Sequence, residues 1–160
     1  MAVRGVPGRL EPVPNTRQLL VLVDYAHTPE SLGAVLVAAR EVTAGRLWVV
    51  FGCGGDRDAQ KRPKMGSVAE ALADRVIVTS DNPRTEDPQR IVDAILSGME
   101  KVPACSDVDR AAAIGWAIGR ARPGDTVLIA GKGHETTQET LGVKCPFDDR
   151  AVARAALEAG

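Results

Sequence analysis

Four short apolar runs, separated by longer segments of different periodicity, constrain the fold of this chain more than any other feature. The runs are 19–23, 47–51, 76–78 and 126–130, and apart from Thr126 they are continuously apolar. A strand that is apolar on both faces belongs in a parallel sheet covered by helices on both sides. The pattern therefore predicts an α/β fold, a Rossmann-like three-layer sandwich with a mostly parallel sheet and helices on both faces.

The segments between the runs are predicted helices because their apolar residues recur every three or four positions. Thr28 is a suitable N-cap for the first helix, with Pro29 at its first position. Further apolar stripes at 65–72, 91–99 and 111–118 predict three more helices. Beyond Glu135 we expect one short antiparallel strand and a closing helix that Asp148 caps.

The chain has 160 residues, which is enough for one domain with one site. Residues 1–17 are rich in proline and glycine and show no apolar period, so we expect a linker or tail there. Residues 18–160 form the predicted domain. We expect no internal repeat in it.

Charge and cysteine content exclude several classes of protein. The chain carries 20 Lys and Arg against 21 Asp and Glu, a net charge of −1, which argues against nucleic-acid or membrane-surface binding through a general electrostatic field. No apolar stretch approaches the roughly 18 residues of a membrane span, and no signal peptide is apparent. Cys53, Cys105 and Cys145 form no C-x-x-C pair, so we expect free thiols and a cytoplasmic protein.

Polar, glycine-rich loops follow the four predicted strands. They are Asp24–Pro29, Gly52–Asp58, Ser80–Thr85 and Gly131–Glu135. In an open parallel sheet the carboxyl ends of the strands share one edge, and ligands bind there. The sequence therefore predicts a binding site at this edge of the sheet.

The second of these loops has the composition of an anion site. Its glycines allow positive φ and a close approach of a ligand to the backbone. Four cations lie nearby, at Arg57, Lys61, Arg62 and Lys64. A tight turn with solvated charges is an equal alternative at this stage. Neither the P-loop pattern nor a G-x-G-x-x-G fingerprint after the first run is present, so neither of those nucleotide sites is expected.

The third and fourth loops carry groups that suit a zwitterion. Arg84 offers a planar fork for a carboxylate, and Glu135 offers an acceptor for an ammonium. Surface salt bridges would use the same residue types, and composition alone does not separate the two interpretations. His27 and His134 lack a second imidazole or thiol at ligand spacing, so we expect them to cap or hydrogen-bond and we predict no metal site.

Taken together, the four loops resemble the C-terminal domain of the Mur ligases. The motifs that carry the resemblance are Asp24–Pro29, Phe51–Asp58, Asp81–Arg84 and Gly131–Glu135, in this order along the chain. The Asp81–Arg84 motif, DNPR, is similar to the signature of the members that add meso-diaminopimelate to UDP-N-acetylmuramoyl-L-alanyl-D-glutamate. Lysine-adding members typically differ at the position of Arg84.

The resemblance assigns roles to individual residues. The positions that it implies for binding diaminopimelate are Arg57, Asp81, Asn82, Pro83, Arg84, Gly131 and Glu135. Diaminopimelate carries a second carboxylate that lysine lacks, and Arg84 and Arg57 are suited to pair with it, while Glu135 is suited to the adjacent ammonium. Asp24 and His27 are similar to the segment that closes over ATP.

The resemblance also implies what this chain would not do alone. Family members are three-domain enzymes whose central domain carries the P-loop, the Mg²⁺ ligands and a carbamylated lysine, and none of these appears here. We therefore expect an amino-acid-binding domain with no catalytic residue of its own, no bound cofactor and no activity alone. ATP, Mg²⁺ and the UDP-linked dipeptide would be held by the other domains. The alternatives are a free-standing anion- or nucleotide-binding module without catalysis, and an interaction domain.

Overall fold

The computed structural model describes residues 8–160 and has a six-stranded central sheet. The strands are β1 (Glu11–Pro12), β2 (Leu20–Asp24), β3 (Leu47–Phe51), β4 (Arg75–Val78), β5 (Cys105–Ser106) and β6 (Thr126–Ala130). Their order across the sheet is β1-β2-β6-β3-β4-β5. All neighbours pair in parallel except β1, which is antiparallel to β2. The predicted mostly parallel sheet is confirmed.

Helices cover both faces of this sheet. They are α1 (Pro29–Glu41), α2 (Lys61–Leu72), α3 (Pro88–Leu96), α4 (Arg110–Arg120) and α5 (Asp149–Ala159). Alternate residues of β2 show the two layers: Leu22 packs in the core beneath α1, α2 and α3, whereas Val21 and Val23 pack beneath α4 and α5. The three-layer sandwich is therefore confirmed. None of the helices in residues 8–160 is long and apolar enough to cross a bilayer.

Local sequence signals explain where the helices begin. Thr28 caps α1 in a reciprocal capping box with Ser31, and Pro29 occupies the first turn as predicted. Asp148 caps α5 by accepting a hydrogen bond from the backbone of Arg150. In contrast, α2 has Gln60 at its N-cap position, and the Gln60 side chain makes no capping hydrogen bond.

The antiparallel strand comes from a different segment than the one we expected. It is β1, within the predicted linker, where the Val13 amide donates to Val21 and the Val13 side chain is buried. The tail instead forms a separate antiparallel hairpin of β7 (Thr137–Thr140) and β8 (Val143–Pro146). All four residues of β8 are exposed and none of β7 is fully buried, so these tail strands bury no apolar face against the central sheet.

Candidate functional site

Neighbouring strands bring the four polar loops together at the carboxyl edge of the sheet. The Gly131 amide donates to the Asp24 carbonyl across 3.0 Å, which joins the first and fourth loops. The Gly55 amide donates to the Asn82 carbonyl across 2.7 Å, which joins the second and third. The Lys132 side chain donates to Asn82 and so joins the two pairs, and the four predicted loops form one continuous surface.

A buried lysine lies at the centre of this surface. Lys132 Nζ donates to Asn82 Oδ1 at 3.0 Å and to Glu135 Oε1 at 3.2 Å, and its side chain is fully buried. Asn82 Nδ2 also donates to Glu135 Oε1 at 3.2 Å. The three side chains therefore form a triangle that fixes Glu135 from one side, while about a third of the Glu135 side chain stays exposed.

Asp81 faces the same lysine from a deeper position. Its Oδ1 lies 3.9 Å from Lys132 Nζ. Burial raises the pKa of the Asp81 carboxyl, and the positive charges of Arg110 and Lys132 oppose that rise. Gly131 makes this packing possible: its φ is +115°, and a Cβ there would lie 2.6 Å from Asp81 Oδ2. Gly131 therefore shapes the site through its backbone.

The Arg84 side chain is positioned by an unusual backbone. Its φ is 53°, in the left-handed region, and its amide and carbonyl bond to Glu139 and Leu141 at 2.9 and 2.6 Å. The hairpin of β7 and β8 thus holds this residue in place. Arg84 Nη1 donates to the Gly55 carbonyl at 2.9 Å. Within residues 8–160, Arg84 forms no salt bridge, and its recorded side-chain hydrogen bonds use Nη1 alone.

Arg57 lies on the other side of Gly54 from Arg84. A Cβ at Gly54 would lie 2.7 Å from Arg84 Nη1 and 3.7 Å from Arg57 Cγ. Arg57 is exposed, and its Nη1 donates to the adjacent carbonyl of Asp56 at 3.1 Å. The two arginines therefore border one glycine that leaves space between them.

An ion pair clamps the second loop to the third. Arg62 is buried and binds Glu86 with both nitrogens, at 3.0 Å to Oε2 and 2.7 Å to Oε1. Arg62 also donates to the Gly54 carbonyl at 3.1 Å. The hydrogen bonds from Arg62 lower the pKa of the Glu86 carboxyl to about 2. Arg62, one of the four cations expected to suit an anion, is therefore engaged within the protein.

Asp56 strengthens the same clamp. It has a φ of 55°, and its amide donates to Glu86 Oε1 at 2.8 Å. Its carboxylate accepts from the Thr85 hydroxyl at 2.7 Å. The loops that carry Arg57 and Arg84 are thus fixed to each other by two independent contacts.

Comparison with known proteins identifies the family to which this chain belongs. Residues 8–133 match the family described as Mur ligase, glutamate ligase domain. The chain belongs to the Mur ligase family. This assignment confirms the resemblance carried by the four loop motifs.

Two relatives are named UDP-N-acetylmuramoyl-L-alanyl-D-glutamate–2,6-diaminopimelate ligase. The one from Chromobacterium violaceum is 53% identical over 98% of this chain and 32% of its own length. The one from Acidovorax sp. (strain JS42) is 57% identical over 97% of this chain and 32% of its own length. A solved structure of a ligase with the same name superposes with a TM-score of 0.90 and 45% identity, over 98% of this chain and 32% of that one. The chain thus spans about a third of the length of these Mur ligases.

The structure brings most of the predicted ligand-binding residues of this Mur ligase domain together. Asn82, Gly131 and Glu135 lie around Asp81 and the buried lysine, and Arg84 Nη1 lies 3.5 Å from the Asn82 carbonyl. The carbonyl of Pro83 faces Gly55, where a Cβ would collide with it. Arg57 is exposed at the rim of the site and lies across Gly54 from Arg84.

Asp24 and His27 have other contacts. Both oxygens of the buried Asp24 accept backbone N–H groups, from Leu10 at 2.8 Å and Ala26 at 2.7 Å. His27 is exposed, and its Nδ1 lies 2.9 Å from the Tyr25 carbonyl. These contacts shape the first loop, and a role beside ATP stays a prediction. No group of three His, Cys, Asp or Glu in residues 8–160 is arranged to hold a metal ion.

Sequence reasoning missed Lys132 and the clamp of Arg62, Asp56 and Glu86. Lysine is rarely fully buried, so the residue type of Lys132 did not predict a position at the centre of the site. The one available signal for Lys132 was its position three residues before Glu135 in the fourth loop. Glu86 lies just beyond the third motif, and only the fold brings it to Arg62.

Proposed function

We propose that this chain is the amino-acid-binding domain of an ATP-dependent Mur ligase that adds meso-diaminopimelate to UDP-N-acetylmuramoyl-L-alanyl-D-glutamate. The observation that carries the proposal is the position of Arg84. One nitrogen of its guanidinium donates to the Gly55 carbonyl, and on the same edge of the sheet Lys132 and Asn82 hold the Glu135 carboxylate in place. A fixed cation and fixed acceptors on one surface match a zwitterionic end group.

The carboxylate of that end group would pair with Arg84, with Arg57 closing over it from the rim. Guanidinium forks bind carboxylates through paired, charge-assisted hydrogen bonds. Lysine has no carboxylate at this end, so it would leave Arg84 without its partner. A site that loses such a bond discriminates strongly against the smaller ligand.

The ammonium of the same end group would bind the exposed oxygen of Glu135. Lys132 holds the other oxygen at 3.2 Å, so the carboxylate is oriented before a ligand arrives. Asp81 lies behind Glu135 in the site. Within residues 8–160 its carboxylate accepts no hydrogen bond, so it supplies a second acceptor for the ammonium. Preorganised groups of this kind reduce the entropy that binding costs.

In the complete ligase, ATP would phosphorylate the glutamate carboxylate of the UDP-linked substrate. The free amine of diaminopimelate would then attack the acyl phosphate, forming the amide bond and releasing phosphate. ATP, Mg²⁺ and the UDP-linked substrate belong to the other domains in this proposal, and Asp24 and His27 would border the ATP cleft. The work of this chain is to position the amine, which lowers the barrier by fixing orientation. We place that work in the cytoplasm, in keeping with three free thiols.

Calorimetry on the full-length ligase tests the proposal. Arg84→Ala keeps the backbone contacts of residue 84 with the hairpin and removes the side chain beyond Cβ, including the guanidinium. We expect its affinity for meso-diaminopimelate to fall at least about tenfold. Arg90→Ala, which removes an exposed arginine of α3, is the matched control and should bind normally. Unchanged affinity in Arg84→Ala would overturn the assignment.

A further inference from the structure

A cleft at the opposite edge of the sheet is lined by four arginines. Its volume is about 770 Å³, and its main lining side chains are Arg46, Trp48, Arg75, Trp116, Arg120 and Arg122. Arg46 lies just before β3, Arg75 begins β4, and Arg122 lies just before β6. The amino ends of parallel strands meet there, so this arginine cleft is separate from the loops at the carboxyl edge.

The positive charge of the arginine cleft is only partly offset by the protein, since the carboxylates of Asp74 and Asp125 lie near Arg46. Within residues 8–160, none of its four arginines forms a salt bridge. One carboxylate, that of Asp125, lines the cleft. Its side chain is committed to three internal donors, the Arg46 amide at 2.9 Å, the Arg122 amide at 3.0 Å and Trp48 Nε1 at 3.0 Å. Asp125 keeps its charge but pairs with none of the guanidiniums, so the four arginines leave an excess of positive charge in the cleft for an external anion.

Aromatic rings give the arginine cleft a firm wall. The Arg120 guanidinium lies 4.1 Å from the centroid of the Trp116 ring, a cation–π contact that restricts its motion. Trp116 in turn lies 6.3 Å from Trp48, which is buried and bonded to Asp125. Arg120 is thus held in place at the mouth of the cleft before any ligand arrives.

Residues 8–10, which precede the sheet, lie away from the arginine cleft. Gly8 packs near His134, and Leu10 bonds to Asp24, so this segment reaches the domain at the carboxyl edge. The cleft is at the far end of the same strands and faces solvent in the part of the chain that the structure describes.

We propose that the arginine cleft binds a compact polyanion, a small molecule that carries several phosphate or carboxylate groups. Planar guanidiniums bind either group through paired hydrogen bonds. The four arginines lie on different segments of the chain and converge on one cavity. A ligand with several negative charges can pair with more of them than a ligand with a single charge can. The volume lies within the range of about 300–1,000 Å³ that is usual for small-molecule sites, whereas an extended polymer needs a longer surface.

Intrinsic fluorescence offers a direct test because the chain has two tryptophans, and both line the arginine cleft. The 160-residue chain would be titrated with inorganic tripolyphosphate and, separately, with citrate, at constant ionic strength. We expect a saturable change with at least one of them. Saturation by tripolyphosphate alone assigns phosphates, and saturation by citrate alone assigns carboxylates. No saturable change with either probe up to about 10 mM would overturn the proposal.

Two double variants separate a built site from general attraction to positive charge. Arg46→Gln with Arg122→Gln removes two charges from the arginine cleft, and we expect the Kd to rise at least about tenfold. Arg90→Gln with Arg154→Gln removes two exposed charges from α3 and α5 and should leave the Kd within about twofold. Equal weakening in both variants would contradict the proposal. Circular dichroism of each variant checks that the fold is retained.

Discussion

Arg110 and Asp149 form a fully buried ion pair directly beneath the candidate site. Arg110 Nε donates to Asp149 Oδ1 at 2.8 Å, and Nη2 donates to Oδ2 at 2.7 Å. The same guanidinium also donates to the carbonyls of Ser80 at 3.0 Å and Ala130 at 3.1 Å. Those residues immediately precede Asp81 and Gly131. One side chain therefore fixes the start of two site loops and ties α4 to α5.

Removing the cation of this pair should be costly. Burial alone disfavours the charged form of Arg110, but the negative charge of Asp149 raises the pKa of the Arg110 guanidinium. Arg110→Met would leave Asp149 as an unpaired buried charge. We expect the free energy of unfolding, measured with urea, to fall by about 3–5 kcal/mol. Arg110→Met combined with Asp149→Leu should recover a large part of that loss because no buried charge is left alone. A loss below about 1 kcal/mol in the single variant would contradict this account.

The clamp between Arg62 and Glu86 should make stability depend on pH in the acid range. The pKa of Glu86 is lowered to about 2 from 4.5, so the unfolded chain binds this proton more readily than the native one. The contribution is fully present above about pH 4.5 and is lost as pH falls towards 2. Because Glu86 is partly exposed, we expect about 1 kcal/mol after allowing for solvent screening.

Urea unfolding at several pH values checks this expectation. Glu86→Gln should be less stable than the parent protein at pH 7 and nearly equal to it at the acid end of the range. Glu158→Gln, which changes an exposed glutamate of α5, is the control and should follow the parent curve. A constant difference between Glu86→Gln and the parent at every pH would show that the ionisation of Glu86 is not responsible.

The three cysteines should differ sharply in reactivity. Burial raises the pKa of the Cys53 thiol to about 12, and its Sγ lies 3.6 Å from Met65 Sδ in the core. Cys145 is exposed on β8. At pH 8 an aromatic disulfide reagent should label Cys145 quickly in the native protein and Cys53 only after unfolding. Cys145→Ser should remove the fast phase, and native labelling of Cys53 at the rate of Cys145 would refute the prediction.

Gly55 should tolerate no side chain because the second and third loops touch there. A Cβ at Gly55 would collide with the carbonyl oxygen and carbon of Pro83, which are backbone atoms and can yield only if the third loop shifts. We expect Gly55→Ala to lower the free energy of unfolding by about 1–3 kcal/mol. Gly115→Ala, inside α4 where nothing lies within 4 Å of the added Cβ, should instead raise it by about 0.5–1 kcal/mol. Similar losses in both variants would argue against close contact of the loops.

The sequence predicted the layers of the fold because periodicity and capping act locally. The apolar runs became β2, β3, β4 and β6 within about a residue, and Thr28 and Asp148 cap the helices expected of them. The two-residue strands β1 and β5 are too short to show a period. Their pairing depends on neighbours far away along the chain.

The site was predicted in part, for a similar reason. Loop motifs placed Arg84, Asn82 and Glu135 at one edge, since parallel strands end together. The partners that orient them could not be deduced, because the pairing of Arg62 with Glu86 and the burial of Lys132 depend on tertiary packing. Arg62 was expected to face a ligand, and the fold instead gives it a carboxylate at 2.7 Å.

The central claim is that Arg84 selects an amino acid with a second carboxylate. The most direct measurement is the ratio of kcat/KM for meso-diaminopimelate to kcat/KM for L-lysine in the full-length ligase, compared between the parent enzyme and Arg84→Ala. Arg90→Ala serves as the control. The account predicts that Arg84→Ala lowers this ratio at least about tenfold, mainly through diaminopimelate. A ratio that stays the same as in the parent enzyme would contradict it.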